Sequence, residues 1–151
     1  MEDKQDVMMK LTMQAVGYQI VQEYNAEPIR TLGEVILLLK MQPQENIVQL
    51  DFDGRCDVFS LHSYRGYYQY LALGYNNKLD KQMPNNTVSQ MLEMFESAQG
   101  RRFTGYKGGE FLMHSKTIVF VANYGDSTSI MLTDIKTVGD KTFICTKIHV
   151  E

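Results

Sequence analysis

Two short strings carry the least ordinary chemistry of this chain: His62-Ser63-Tyr64-Arg65-Gly66-Tyr67-Tyr68 and Phe103-Thr104-Gly105-Tyr106-Lys107-Gly108-Gly109-Glu110-Phe111. Each sets a cation among aromatic rings beside glycine. Glycine lets backbone approach a ligand closely and lets N–H groups converge on an anion. A guanidinium or ammonium with a ring at hand suits a phosphate or a stacked base. The candidate ligand- or partner-binding residues are therefore Tyr64, Arg65, Gly66, Tyr67 and Tyr68 from the first string and Tyr106, Lys107, Gly108, Gly109 and Glu110 from the second. The same composition also describes a tight turn with a solvated tip, because tyrosine is a good strand residue and glycine beside a charge is common in turns. Neither string has the spacing of a Walker loop or a dinucleotide fingerprint.

Catalytic patterns are sparse. His62, His114 and His149 are the general-base candidates by residue type. Two of them precede serine, which does not complete the His-x-Thr pair of two-histidine phosphoesterases. No serine occupies a Gly-x-Ser-x-Gly elbow, and neither cysteine stands directly beside a histidine in the sequence. No catalytic residue is assigned, and His62 with Glu110 is the one acid/base pair worth testing. Asp51 and Asp53 share a strand face but read as a solvated strand end rather than metal ligands, and the spacing of Asp51, Asp53 and Asp57 is not that of a calcium loop. No metal and no cofactor are predicted. Cys56 and Cys145 lack metal-ligand spacing and read as two reduced thiols.

Nine tyrosines, five of them from Tyr64 to Tyr75, offer a different use, since tyrosine buries large area at an interface at low entropic cost. They predict a protein-binding face near Tyr67, Tyr68 and Tyr70. Ten methionines add deformable apolar surface, although methionine at helix spacing is more often core.

The elements that must hold these strings follow from periodicity. Val7, Met8, Leu11, Ala15 and Tyr18 fall at three- and four-residue steps and predict an amphipathic N-terminal helix within 1–26. Thr31-Leu32-Gly33-Glu34 and Thr87-Val88-Ser89-Gln90 are capping-box sequences, each followed by apolar residues at i, i+3, i+4 and i+7. They predict helices from about Leu32 to Met41 and from Val88 to before Gly100. Ile47 to Asp53 alternates with period two and predicts a half-buried strand, with Val48, Leu50 and Phe52 on one face. Val58 to Leu73 reads as two extended pieces broken at Tyr64-Arg65-Gly66, and Asn76 to Asn86 as a surface loop. Phe103 to Met113, Thr117 to Tyr124, Ser129 to Lys136 and Lys141 to Val150 follow as strands, the last two forming a terminal hairpin within 128–151. The expected fold class is α+β: a mostly antiparallel sheet of five to seven strands with two or three helices on one face. The parallel order of Thr31 to Gly66 and Thr87 to Gly125 suggests an internal α-β-β duplication, with convergence on common helix signals as the alternative.

A length of 151 residues at 44% hydrophobic content suits a single domain spanning 1–151. The net charge of −3 lacks the basic footprint of nonspecific nucleic-acid binding and disfavours direct contact with nucleic acid. The longest apolar run, Val35 to Leu39, is far too short to span a membrane, and Met1 to Asp6 is acidic with no apolar run behind it, so a cytoplasmic location is expected.

At the Thr-capped helix, Ser63-Tyr64-Arg65-Gly66, the Phe103 to Phe111 string and Val119 to Gly125, the chain resembles small accessory proteins of tailed bacteriophages. The resemblance covers roughly Thr31 to Gly125. It implies a product made in the host cytoplasm that acts on a host enzyme or defence factor, or on nucleotide signals, and it supplies no catalytic residue. The leading expectation is a non-catalytic protein that binds a host protein through its aromatic, Arg- and Lys-bearing loops. The alternatives are a binder of a phosphate-bearing small molecule through Arg65 and Lys107, with Tyr64 and Tyr106 stacking, and a small enzyme acting on such a ligand.

Overall fold

The computed structural model describes residues 29–52, 58–76 and 86–148. The expected N-terminal helix, the Asp53-Gly54 turn, Cys56, His149 and most of the Asn76 to Asn86 loop lie outside those residues.

Both capping boxes form. Helix α1 spans Leu32–Lys40: the Thr31 hydroxyl accepts from the Glu34 N–H at 3.3 Å, while the Thr31 N–H donates to Glu34 Oε1 at 2.9 Å. Helix α2 spans Val88–Ala98, with Thr87 and Gln90 making the same exchange at 3.2 and 3.1 Å. Each exchange satisfies two backbone or side-chain partners at a helix end that has no intrahelical acceptor for its first N–H groups. Leu32, Val35, Ile36 and Leu39 are buried from α1, and Val88, Met91, Phe95 and Ala98 from α2.

The strands are β1 (Ile47–Leu50), β2 (Val58–Ser63), β3 (Leu71–Asn76), β4 (Arg102–Thr104), β5 (Glu110–Leu112), β6 (Val119–Val121), β7 (Ile130–Val138) and β8 (Lys141–Ile148). Six of them form one sheet in the order β1-β8-β7-β6-β3-β2, and β4 and β5 form a separate hairpin. The pairs β2/β3, β6/β7, β7/β8 and β4/β5 are antiparallel, whereas β1/β8 and β3/β6 are parallel. The fold is thus α+β with a mixed, mainly antiparallel sheet. The terminal hairpin forms as expected, turning at Gly139 with φ +63°.

The two caps are tied reciprocally to the sheet. Thr31 bridges Ile118, the residue before β6, and Thr87 bridges Ile47 at the start of β1. Arg30 O accepts from Val119 N–H and the Leu32 N–H donates to Thr117 O; Asn86 O accepts from Val48 N–H and the Val88 N–H donates to Asn46 O. This is a likeness of arrangement between two stretches. Among the described residues the β4/β5 hairpin, which follows α2, has no counterpart after α1.

Alternation sorts the strands into two faces. Leu71 and Leu73, Val119 and Val121, Leu132 and Ile135 point into the core shared with the helices. Ala72, Ala122, Phe120 and Tyr64 lie together in a second, smaller cluster. A register shift between Leu132 and Asp134 brings Ile135 back to the core.

Three expectations need correction. Phe103 to Met113 is two short strands about a glycine turn and stands apart from the main sheet, because Gly105, Gly108 and Gly109 reverse the chain. Thr117 to Tyr124 shortens to β6, since Tyr124-Gly125 turns away from the sheet. Phe52, expected with Val48 and Leu50, is 47% exposed: β1 ends at Leu50, so the alternation no longer dictates its direction.

Candidate functional site

The residues between β2 and β3 form a compact reversal, with the Tyr64 N–H donating to Tyr70 O at 2.8 Å and the Tyr70 N–H to Tyr67 O at 2.9 Å. Tyr64 is turned inward and only 3% exposed. Its ring stacks on Phe120 at 4.2 Å with planes 1° apart, in the space left by Ala72 and Ala122. The hydroxyl donates to the carbonyls of Thr128 at 2.8 Å and Ser127 at 3.2 Å. Burial raises the phenol above its usual range, with the Ser129 side chain acting in the opposite direction. Gly66 must be glycine for a contact reason, because a Cβ there would lie 2.5 Å from Tyr64 Cε2.

Arg65, the next residue, goes the other way. Its guanidinium carbon lies 4.5 Å from the centroid of Tyr106, which comes from the turn between β4 and β5. This contact joins the two strings, and a second joins them from beneath: Tyr68 meets Phe111 edge to face at 5.8 Å, with Gly105 between. The turn is closed by the Gly105 N–H donating to Gly109 O and the Gly108 N–H to Gly105 O, both at 2.9 Å, with Gly108 and Gly109 at φ +99° and +80°. Those two N–H groups are spent inside the turn and do not serve an anion cradle. Lys107 and Glu110 are exposed.

The aromatic contacts run on from Tyr106. It packs against Tyr124 at 5.7 Å, and Tyr124 meets His62 at 5.4 Å with rings perpendicular. His62 Nε2 is 2.9 Å from Ala122 O, which makes that nitrogen the donor in the neutral ring. Burial holds His62 below its usual value, partly offset by the carbonyls of Ala122 and Asn123 and the charge of Asp126. The ring fits because Gly74 stands beside it, where a Cβ would lie 2.6 Å from His62 Cε1. Among the described residues, no hydrogen bond or ion pair joins His62 to Glu110, so nothing there assembles the pair as an acid and a base.

Sequence reasoning named ten candidate residues and a face near Tyr67, Tyr68 and Tyr70, but it missed Tyr124, which packs on Tyr106, and Phe120, which stacks on Tyr64. Tyr124-Gly125 carries the same signal as the two strings, an aromatic ring beside glycine, and Gly125 at φ +90° passes 3.4 Å under Tyr106 by its notional Cβ. Phe120 had no signal, because apolar alternation alone does not say which face of the sheet a helix covers.

Asp51 is accounted for structurally: Oδ1 and Oδ2 accept from the Thr146 hydroxyl at 2.6 Å and N–H at 2.9 Å, fastening the end of β1 to β8. Among the described residues no group of three metal-ligating side chains comes together, and no helix is long and apolar enough to cross a membrane. No protein-family model, curated protein or solved structure matches the chain.

Proposed function

We propose that the chain is a non-catalytic binding protein that engages a host protein in the cytoplasm through the surface built by Arg65, Tyr106 and Tyr124. One observation carries this reading: the guanidinium of Arg65 sits on the Tyr106 ring, so two strings about forty residues apart in sequence make one patch. Tyr106 and Tyr124 remain 43% and 58% exposed, so two large rings of this patch face outward. Tyrosine and arginine are the residues in which interface binding energy concentrates, and rings already held by neighbours lose little freedom on docking. Arg65 and Lys107 favour a partner whose docking face is acidic. The resemblance to phage accessory proteins supports a host factor as that partner.

The second reading, a phosphate-bearing ligand held by Arg65 and Lys107, draws on their sharing one turn-rich end of the structure. It is weakened by the consumption of the Gly105 and Gly108 N–H groups within the turn.

The test is affinity capture with the full chain, followed by titration of the captured protein after purification. Tyr106→Ala with Tyr124→Ala is expected to weaken binding by at least about 30-fold, the scale of losing one hot-spot anchor. Arg65→Ala alone should cost less. Native mass spectrometry that finds a small noncovalent mass and no protein partner, with the mass lost from Arg65→Ala, would replace this reading by the second.

A further inference from the structure

We infer that the sheet face carrying Tyr64 holds a second, separate site: a pocket for one neutral planar heteroaromatic ring of the nucleobase class. Residues 64 and 65 part company, Arg65 turning to Tyr106 and Tyr64 to Phe120, so the pocket beside Tyr64 is distinct from the proposed partner surface. A cavity of about 280 Å³ opens there, lined by Ile29, Tyr64, Tyr67, Tyr70, Phe120 and Ser129. That is at the small end of ligand sites, which run from roughly 300 to 1,000 Å³, and restricts the occupant to about one ring system.

The lining specifies the rest. Phe120 is stacked on Tyr64 and lies nearly parallel to Tyr70, 6.0 Å away with planes 16° apart, so the walls present ring faces and edges of one orientation. Flat π systems gain most against such walls, and bases stack on aromatic side chains without needing a particular sequence of hydrogen bonds. Among the described residues no charged side chain lines the cavity, which favours a neutral occupant over a phosphate because a buried unpaired charge is costly. One end is polar. Tyr64 Oη donates to the Thr128 and Ser127 carbonyls and accepts from the Ser129 side chain, so the acceptor left at that end of the lining is the Ser129 oxygen. An occupant therefore needs an N–H on its edge, which an amino-bearing base has and a hydrocarbon ring lacks.

The experiment titrates adenine into the full chain by saturation-transfer NMR and locates it by intermolecular NOEs to the methyl groups of Ile118 and Met131, which complete the lining. Binding is expected with a Kd on the order of 0.1–1 mM, with purine, which lacks the amino group, several-fold weaker. Phe120→Leu should weaken adenine by roughly tenfold, the scale of one lost stacking partner. Ser129 is exposed, so Ser129→Ala is expected to fold and should erase the difference between adenine and purine. Tyr106→Ala, which alters only the proposed partner surface, should leave adenine binding unchanged. Absence of binding at about 10 mM adenine, NOEs that avoid Ile118 and Met131, equal affinity in Phe120→Leu, or loss of binding in Tyr106→Ala would each overturn the assignment.

Discussion

Gly66→Ala should destabilise the chain through a single side chain, and its size can be worked from the contacts. The φ of Gly66 is not in the left-handed region, so alanine meets no backbone penalty, and restriction of the unfolded chain returns about 0.4–1 kcal/mol. The cost arises where the new methyl would stand 2.5, 2.7 and 2.9 Å from Tyr64 Cε2, Cζ and Oη. Tyr64 cannot withdraw cheaply: Phe120 stacks on its ring and Thr128 holds its hydroxyl. Overpacking of this kind costs about 1–3 kcal/mol, at the upper end where the neighbour is held on both sides. The net expectation is a loss of about 2 kcal/mol, or about 4–8 °C in Tm for a chain of this size. Urea denaturation of four proteins checks it: wild type, Gly66→Ala, Tyr64→Leu and the double variant. Leucine lacks the three atoms that clash, so Gly66→Ala should cost close to nothing in the Tyr64→Leu background. An equal loss in both backgrounds, or a loss below about 0.5 kcal/mol in the wild type, refutes the claim that Gly66 is there to admit the Tyr64 ring.

Two further expectations concern stability. His62 is held below its usual value in the folded chain by burial, so its contribution to stability is present in full above about pH 6.5 and is lost as pH falls through the lower folded value. The Tm should therefore drop between pH 7.5 and 5, and His62→Gln should flatten that part of the profile; an unchanged slope would dismiss His62 as its source. Thr31→Ala and Thr87→Ala should each cost about 1 kcal/mol in urea denaturation through loss of the cap, and because the caps lie on different helices the double variant should show nearly the sum.

Local signals in the chain were strong where one residue's needs are met by residues three or four positions away. Both Thr caps, the apolar stripes of α1 and α2 and the turn at Gly139 formed as their sequences predict, whereas the break that opens at Tyr64-Arg65-Gly66 runs on through Tyr70, so that the second extended piece is Leu71–Asn76. The candidate strings were legible as aromatic and cationic residues beside glycine, a pattern that depends only on residue type. Phe52 and the Phe103 to Met113 stretch departed from their patterns because a strand's length is set by its pairing partner, which alternation does not name.

Composition and periodicity by themselves determined the α+β class, the two capped helices and the choice of Tyr64, Arg65 and Tyr106 as candidates. Only the tertiary structure decided that β1 lies parallel to β8 and β3 parallel to β6, and hence that Arg65 reaches Tyr106 while its neighbour Tyr64 is buried on Phe120. The physical reason is one of range. Caps and turns are stabilised by contacts within a few residues, whereas the site depends on strand order, which is selected by the burial of all the apolar faces together and leaves no mark at any single position.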